Sequence, residues 1–147
     1  MSKTEAQLYN EQLIEEFRAN DGHVSSFGDS PLMLLTTTGA KSGQPRTSPV
    51  MYLADDKAKD RVYVFASAAG SDKHPAWFHN LSANPNGLTV EIGDRKLTAD
   101  AEIGPEPRRG EVYAVQAERF PAFAGYQEQT ARAIPVVALT LHDAPRG

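Results

Sequence analysis

The chain has 147 residues and contains no cysteine. Disulfide bonds, thiolate metal sites and a cysteine nucleophile are therefore excluded. No apolar run is long enough to cross a membrane, and charged residues such as Lys3, Glu5 and Glu11 interrupt the N-terminal segment, which shows no signal-peptide pattern. These features lead us to expect a cytoplasmic protein.

Several common catalytic motifs are missing as well. No GxGxxG opens a helix and no GxxxxGK[ST] occurs, so the standard dinucleotide and P-loop sites are absent, and neither GxSxG nor HExxH is found. The net charge is -4, so we expect no nucleic-acid partner, and any basic site must be local. With 40% hydrophobic and 23% charged residues, a chain of this length is typical of one globular domain.

Hydrophobic patterning predicts about six strands and two to three helices. The first helix is predicted over residues 4–19, a second begins near Pro75 and a third opens at Pro107. Residues 120–126 form a loose helical turn with three aromatic side chains on one side. The predicted strands are 32–38, 46–54, 61–67, 88–92, 96–103 and 134–141. Mostly short turns join them, which favours an antiparallel, barrel-like α+β fold over a doubly wound sheet.

The connection between the first two strands is unusually rich in binding groups. Residues 34–49 read LLTTTGAKSGQPRTSP, and Gly39 and Gly43 allow the backbone to turn sharply. The cations and hydroxyls of this turn belong to Thr38, Lys41, Ser42 and Arg46. Together with exposed amides, such groups are typical of an anion-binding loop. The alternative is an ordinary strand connection whose two cations point into water.

A second informative stretch, residues 66–84, reads ASAAGSDKHPAWFHNLSAN. Its small residues leave room for a ligand beside the backbone, and Lys73 precedes a helix start, where free N–H groups favour an anion. Trp77 is expected to anchor the core. His74 and His79 have no acidic partner at ligand spacing, so we expect capping or surface histidines and no metal site.

Three segments resemble the deazaflavin-dependent nitroreductase family. They are LLTTTGAKSGQPRTSPVMYL, VYVFASAAGSDKHPAWFHNLSANP and IPVVAL, and the likeness runs from about Phe17 to Leu141. The resemblance implies a split β-barrel that binds coenzyme F420, an 8-hydroxy-5-deazaflavin, without a metal. It also implies an F420H2-dependent reductase that transfers a hydride to a small conjugated acceptor. We therefore expect a single domain over 1–147, with the helix at 4–19 and the barrel at 31–141.

The resemblance also implies roles for individual residues around the coenzyme. Lys41, Ser42 and Arg46 would bind its phosphate and polyglutamate tail. The segment that runs along the deazaflavin would consist of Thr47, Ser48, Pro49 and Val50. The other side of the coenzyme would be held by Ala66, Ser67, Ala68 and Lys73, and Trp77 and Asn80 would lie behind that loop.

The acceptor pocket is predicted at Met51, Phe120, Phe123 and Tyr126. Relatives that reduce bulky nitroaromatics have tyrosine at the first three of these positions, so this pocket should be more apolar. Quinones and enones are therefore predicted to be better acceptors than polar nitro compounds. Ser67 and Tyr126 are the candidate catalytic residues, which would polarise the acceptor.

Two other functions fit the same residues: an F420-binding carrier or storage protein with little catalysis, and a split-barrel protein that binds flavin mononucleotide. Pro49 interrupts a strand and predicts an edge position or a bulge, which leaves a homodimer open. The first helix is amphipathic, which leaves peripheral association with the inner face of the membrane open, although its acidic polar face argues against binding to anionic lipid. We expect that helix to pack on the domain or over the mouth of a pocket.

Overall fold

The computed structural model describes residues 5–25, 31–55, 60–67, 74–104, 108–130 and 134–143. Ala68, Lys73 and Pro107, to which the sequence assigns roles, lie outside these ranges. The helices are α1 (Glu5–Ala19), α2 (Ala76–Ala83), α3 (Arg108–Arg119) and α4 (Ala122–Glu128). The strands are β1 (Leu32–Thr38), β2 (Pro45–Ala54), β3 (Arg61–Phe65), β4 (Leu88–Ile92), β5 (Arg95–Ile103) and β6 (Val136–Asp143).

The six strands form a closed barrel in the order β1-β2-β3-β6-β5-β4, and every neighbouring pair is antiparallel. This confirms the predicted fold class. The described residues contain four helices rather than two or three around the barrel, because the aromatic segment forms a helix of its own. Pro121 (φ -56°, ψ -21°) already has helical geometry and begins it.

The strand ends differ by one or two residues from those predicted, and Pro135 accounts for one difference. The last register pair of β3 and β6 is Phe65 with Val136. Ala66 donates its N–H to the Pro135 carbonyl at 3.0 Å. Proline has no N–H to donate in return, so the ladder stops there.

Pro49 lies in a strand with neighbours on both sides, but β3 does not reach it. Pro49 is the register partner of Leu34 in β1, whereas β3 pairs only with Tyr52, Leu53 and Ala54. The missing N–H is therefore tolerated along a locally free edge. The predicted edge position is correct for this half of β2, although the barrel as a whole is closed.

The first four residues of β1, Leu32 to Leu35, are all apolar because both faces of the strand are covered there. Met33 and Leu35 belong to the cluster inside the barrel, while Leu32 and Leu34 pack with Leu13 and Phe17 of α1 on the outside. Side chains alternate between the faces of a strand, so two covered faces give an uninterrupted apolar run.

A third apolar cluster, here called the aromatic layer, lies between the outside of the barrel and helices α3 and α4. Its buried members are Leu53, Tyr63, Phe65, Tyr113, Phe123, Ile134 and Val136, and Met51, Val112, Ala117, Phe120, Tyr126 and Ala138 pack against them. Helices α3 and α4 thereby extend the core beyond the barrel wall.

The end of α1 shows the predicted stop signal. Asp21 and Gly22 have φ of 51° and 95°, and the Gly22 N–H donates to the Phe17 carbonyl at 2.8 Å. Arg18 holds the helix to β4 by donating from Nε and Nη2 to the Glu91 carboxylate at 3.1 and 2.9 Å. This hydrogen bonding raises the pKa of Arg18.

Candidate active site

A large cleft opens at one end of the barrel, with a volume of about 1210 Å³. Helix α1, the β1–β2 turn, the start of β2 and helix α2 surround it. The predicted coenzyme residues that line it are Lys41, Ser42, Arg46, Thr47, Ser48, Trp77 and Asn80. The structure therefore brings most of the described candidates to one cavity.

The β1–β2 turn is closed by its own hydrogen bonds. The N–H groups of Gly39 and Gly43 donate to the carbonyls of Gln44 and Gly39 at 2.8 and 2.9 Å, and Gly43 has φ of 71°. The Gln44 N–H donates to the Ser42 hydroxyl oxygen at 3.2 Å. Only a residue that tolerates positive φ fits at Gly43.

Asn80 of α2 fastens this turn to the barrel. Its Oδ1 accepts the Ala40 N–H at 3.0 Å, and its Nδ2 donates to the Thr37 hydroxyl at 3.2 Å. Beside it, Trp77 is only 8% exposed and packs in the cluster inside the barrel. The predicted core anchor is confirmed, and α2 is the element that sets the position of the turn.

These bonds show which groups of the turn are engaged. The N–H groups of Gly39, Ala40, Gly43 and Gln44 all have protein acceptors, so the exposed amides expected from the sequence are not available at these positions. Lys41 and Arg46 are both exposed at the cleft, as the sequence predicts. The groups that this turn offers to an anion are therefore cationic side chains rather than these four backbone amides.

Strand β2 runs from the cleft to the aromatic layer. Thr47 lines the cleft and shares a hydrogen bond of 2.8 Å between its hydroxyl and that of Thr36. Met51, four residues further, packs against the aromatic layer. At the rise of a β-strand these two positions are about 13 Å apart. Val50 points elsewhere, because its side chain packs against the cluster inside the barrel.

The four predicted acceptor residues all belong to the aromatic layer. Phe123 is buried at its centre, with ring centroids 5.6 Å from Phe65, 6.3 Å from Tyr113 and 5.2 Å from Tyr126, each in an edge-to-face arrangement. The Tyr113 hydroxyl donates to the Phe123 carbonyl. Helix α3 thus holds α4 in place, and the two form an apolar layer with the outer side chains of β2, β3 and β6.

The second coenzyme loop is described only at its ends. Ala66 is wholly buried beside the end of β3, and Ser67 follows it with partial exposure. Ala68 and Lys73 lie outside the described residues. The polarising role assigned to Ser67 and Tyr126 stays a prediction.

Sequence reasoning missed two contributions to this region. Asn10, Glu11 and Ile14 of α1 line the cleft. The sequence led us to expect this helix over a pocket mouth, but it did not identify these three residues. Gln116 of α3 is wholly buried, and neither of its amide atoms has a hydrogen-bond partner. Gln116 is three residues after Tyr113 and four before Phe120, and this helical spacing could have indicated that it shares their buried face.

A smaller cavity of about 280 Å³ lies on the outside of β3, β6 and β5, against the start of α3. Arg61, Glu102 and Arg109 line it, above an apolar floor of Val112, Val136 and Ala138. Among the described residues, no cluster of three or more His, Asp or Glu could hold a metal. None of the described helices has the length and apolar character that a membrane span requires.

Comparison with known proteins connects this geometry to a family. The sequence profile of the F420H2-dependent quinone reductases matches residues 10–141. An F420H2-dependent quinone reductase of Mycobacterium tuberculosis is 34% identical over 129 residues, covering 84% of each chain. The solved structure of an F420H2-dependent reductase, FDR-A, is 36% identical with a TM-score of 0.65, over 74% of this chain and 93% of that one. A domain-swapped dimer is 34% identical with a TM-score of 0.68, over 92% and 99% of the two chains.

The residues of the cleft suit the coenzyme of that family. Lys41 and Arg46 offer positive charge for an acidic tail, and the small side chains of Ala40 and Ala76 line the cleft, as a flat ring requires. The predicted fold, the predicted cofactor and the predicted resemblance to deazaflavin-dependent reductases are thus confirmed. The chain belongs to the F420H2-dependent quinone reductase family.

Proposed function

We propose that this chain catalyses hydride transfer from F420H2 to a quinone, with the cationic cleft as the coenzyme site and the aromatic layer as the acceptor site. The observation that carries the proposal is the course of β2. Its first residues line the cleft, and Met51, on the same strand, packs with Phe120, Phe123 and Tyr126. One strand therefore connects a site for an acidic ligand to a site for an apolar one.

In this arrangement the exposed side chains of Lys41 and Arg46 bind the phosphate and glutamate tail, and the Ser42 hydroxyl donates a further hydrogen bond. Asn80 and Trp77 act by holding the turn in position, since both Asn80 amide atoms are engaged by the protein. The backbone from Thr47 to Val50 runs beside the ring. When bound, the reduced deazaflavin supplies the hydride, so the protein needs no dedicated base to generate it.

The acceptor side excludes water and orients the substrate. Met51, Phe120 and Phe123 offer apolar surface with no hydrogen-bond donor, and aromatic side chains stack well on a flat ring. We assign the polarisation of the acceptor to the hydroxyls of Ser67 and Tyr126. An apolar wall with few donors favours quinones and enones over nitro compounds, whose polar group loses more hydration on binding.

The test is whether this protein catalyses oxidation of F420H2 by menadione. The reaction is monitored by the absorbance of the oxidised coenzyme, which increases as F420H2 is consumed. We expect protein-dependent turnover, and a higher kcat/KM for menadione than for a nitroimidazole. Equal or faster turnover of the nitroimidazole would contradict the acceptor assignment. Tight coenzyme binding without turnover of quinones, enones or nitroaromatics would leave the carrier function instead.

A titration with flavin mononucleotide under the same conditions distinguishes an F420-binding protein from a split-barrel protein that binds flavin mononucleotide. A site built on Lys41 and Arg46 should bind the coenzyme with an affinity that falls as salt is added, because a long acidic tail meets exposed cations. Tighter binding of flavin mononucleotide than of F420 would overturn the cofactor-site assignment.

We further infer that the chain can dimerise. The supporting feature is the half of β2 from Pro45 to Met51, for which the described residues offer a strand partner only on the β1 side. Free strand edges pair readily with another chain. Light scattering after size-exclusion chromatography measures the assembly, and a monomer at all accessible concentrations would refute the inference.

A further inference from the structure

The amide of Gln116 is a buried polar group without a hydrogen-bond partner. The side chain is wholly buried, and neither Nε2 nor Oε1 has a hydrogen-bond partner. Within the part of the chain that the structure describes, no other buried side-chain nitrogen or oxygen lacks a partner. Such a group costs free energy on folding, because water has been removed and nothing replaces it.

Helical spacing places Gln116 on the face of α3 that packs in the aromatic layer. Tyr113 precedes it by three residues and Phe120 follows it by four, and residues at these spacings share one face of a helix. Both aromatic residues belong to the aromatic layer, and the Phe120 N–H donates to the Gln116 carbonyl at 2.8 Å. Gln116 therefore lies one helical turn from the predicted acceptor wall.

Neighbouring polar groups of the layer already have partners. The Tyr113 hydroxyl donates to the Phe123 carbonyl, and Oε1 of Gln127 accepts the Ile134 N–H at 3.1 Å. Gln127 shows what a structural glutamine does in this environment: it satisfies a backbone group. Gln116 satisfies none, which leaves its Nε2 as a donor for a ligand.

We propose that Gln116 is an acceptor-binding residue, whose Nε2 donates a hydrogen bond to a quinone carbonyl when the acceptor enters the layer beside Phe120. This proposal rests on the proposed function, and it adds a buried donor to the surface polarisation assigned to Ser67 and Tyr126. A quinone carbonyl is a suitable partner because it accepts hydrogen bonds and gains negative charge as the ring is reduced. A donor already fixed in a dry environment stabilises that charge more than water does.

The thermal stability of the variant Gln116→Met tests whether the Gln116 amide lacks a partner in the folded protein. Methionine keeps the length of the side chain and removes the unpartnered amide, so we expect the melting temperature to rise by about 3 °C. The matched control is Gln127→Met on α4, which leaves the Ile134 N–H without its acceptor and should lower the melting temperature. Destabilisation by Gln116→Met would show that the amide has a partner in the folded protein, and would overturn the proposal.

The same variant tests the role through ligand chemistry. Menadione has two carbonyls, and its hydrocarbon analogue methylnaphthalene has the same ring shape with none. We expect Gln116→Met to weaken menadione binding and to lower kcat/KM about tenfold, the loss of one hydrogen bond of about 1.4 kcal/mol. Binding of methylnaphthalene should be unchanged or tighter, and coenzyme affinity should be unchanged.

Equal effects on the two ligands would mean that Gln116 shapes the pocket without contacting the carbonyl, and would overturn the proposal. Gln116→Leu, measured in parallel, checks that the result does not depend on the methionine side chain. Binding is measured calorimetrically and does not require turnover. If the wild-type protein binds menadione but never reduces it, the proposed function fails, while the ratio of the two ligand affinities still decides the role of Gln116.

Discussion

The cleft proposed to bind the coenzyme and the aromatic layer are built differently, from different parts of the chain. In the cleft, exposed cations project from a turn that is closed by its own hydrogen bonds and fastened by Asn80. In the aromatic layer, the rings that face the predicted acceptor also hold α4 against the barrel. We therefore expect binding and folding to be separable in the cleft and to depend on the same side chains in the layer.

The largest effect is expected where folding and binding coincide. Phe123 is buried and contacts three other rings, so Phe123→Ala should lower the free energy of unfolding by about 3–5 kcal/mol and abolish acceptor reduction. Denaturant unfolding measures the change. The control is Val115→Ala on α3, which is 41% exposed and should change stability by less than about 0.5 kcal/mol. A stable but inactive Phe123→Ala protein would contradict the dual role.

The cleft should behave in the opposite way. Replacing both Lys41 and Arg46 by alanine should weaken F420 binding about 100-fold, because each charged hydrogen bond contributes about 1.5–3 kcal/mol and part of it is screened. Stability should change by less than about 0.5 kcal/mol, since both side chains are exposed. The salt dependence of the affinity should also decrease.

A double alanine variant of Arg95 and Lys96 is the matched control for charge. Both residues are exposed at the start of β5, at the opposite end of β4 from the cleft, and their removal changes the net charge by the same amount. We expect coenzyme affinity close to that of the wild type. Equal losses in the two double variants would mean that net charge, and not the cleft, governs affinity.

An intermediate effect is expected where the end of α1 contacts the β4–β5 turn. An added Cβ at Gly22 would lie 2.6 Å from the Gly93 Cα, and φ there is +95°. Gly22→Ala should therefore destabilise the protein by about 2 kcal/mol or more, and should weaken coenzyme binding because α1 lines the cleft. Gly87 also has a positive φ, +70°, but a Cβ there would meet open space. Gly87→Ala should therefore lower the free energy of unfolding only by the conformational cost of about 1 kcal/mol. Thermal unfolding of the pair measures the difference.

The smallest effect is expected at a site remote from both regions. Asp100 accepts the Gly87 N–H at 3.1 Å and pairs with Nε2 of His142 at 3.1 Å, and these hydrogen bonds lower the pKa of the carboxyl group. Because the folded pKa is below the unfolded value, the stabilisation is present above the unfolded pKa, about 3.9, and is lost as pH falls through the folded pKa.

Asp100→Asn should therefore reduce the loss of stability on acidification below about pH 4. Urea midpoints measured at a series of pH values test this, with Asp94→Asn in the β4–β5 turn as the control. A variant that loses stability on acidification as steeply as the wild type would show that the Asp100 hydrogen bonds do not contribute to acid sensitivity.

Much of the fold was predictable because its signals are local. Alternating runs, glycine-bounded turns and the Asn20–Asp21–Gly22 stop each depend on neighbouring residues, and the structure places strands or turns at all of them. The count of helices was too low because the segment after Pro121 contains Gly125, which weakens a helical pattern. Packing of Phe123 against the barrel compensates for that weakness.

The predicted site was less complete, because binding groups are selected by long-range contacts. The amides of the β1–β2 turn looked available, yet one of them is bound by Asn80, forty residues away. The α1 residues Asn10, Glu11 and Ile14 reach the cleft because Leu13 and Phe17 pack on β1 and Arg18 binds Glu91 of β4. No local pattern contains either contact.

By itself, the sequence determined the elements and the charged turn, since these follow from residue types at short spacing. The apolar acceptor residues were predicted from the resemblance to a family and stay a prediction. Only the tertiary structure decided which groups remain available to a ligand. It closed the barrel, engaged the turn amides, joined the cleft to the aromatic layer through β2 and left the Gln116 amide without a partner. The physical reason is that hydrogen-bond partners and burial depend on residues distant in the chain, which meet only after folding.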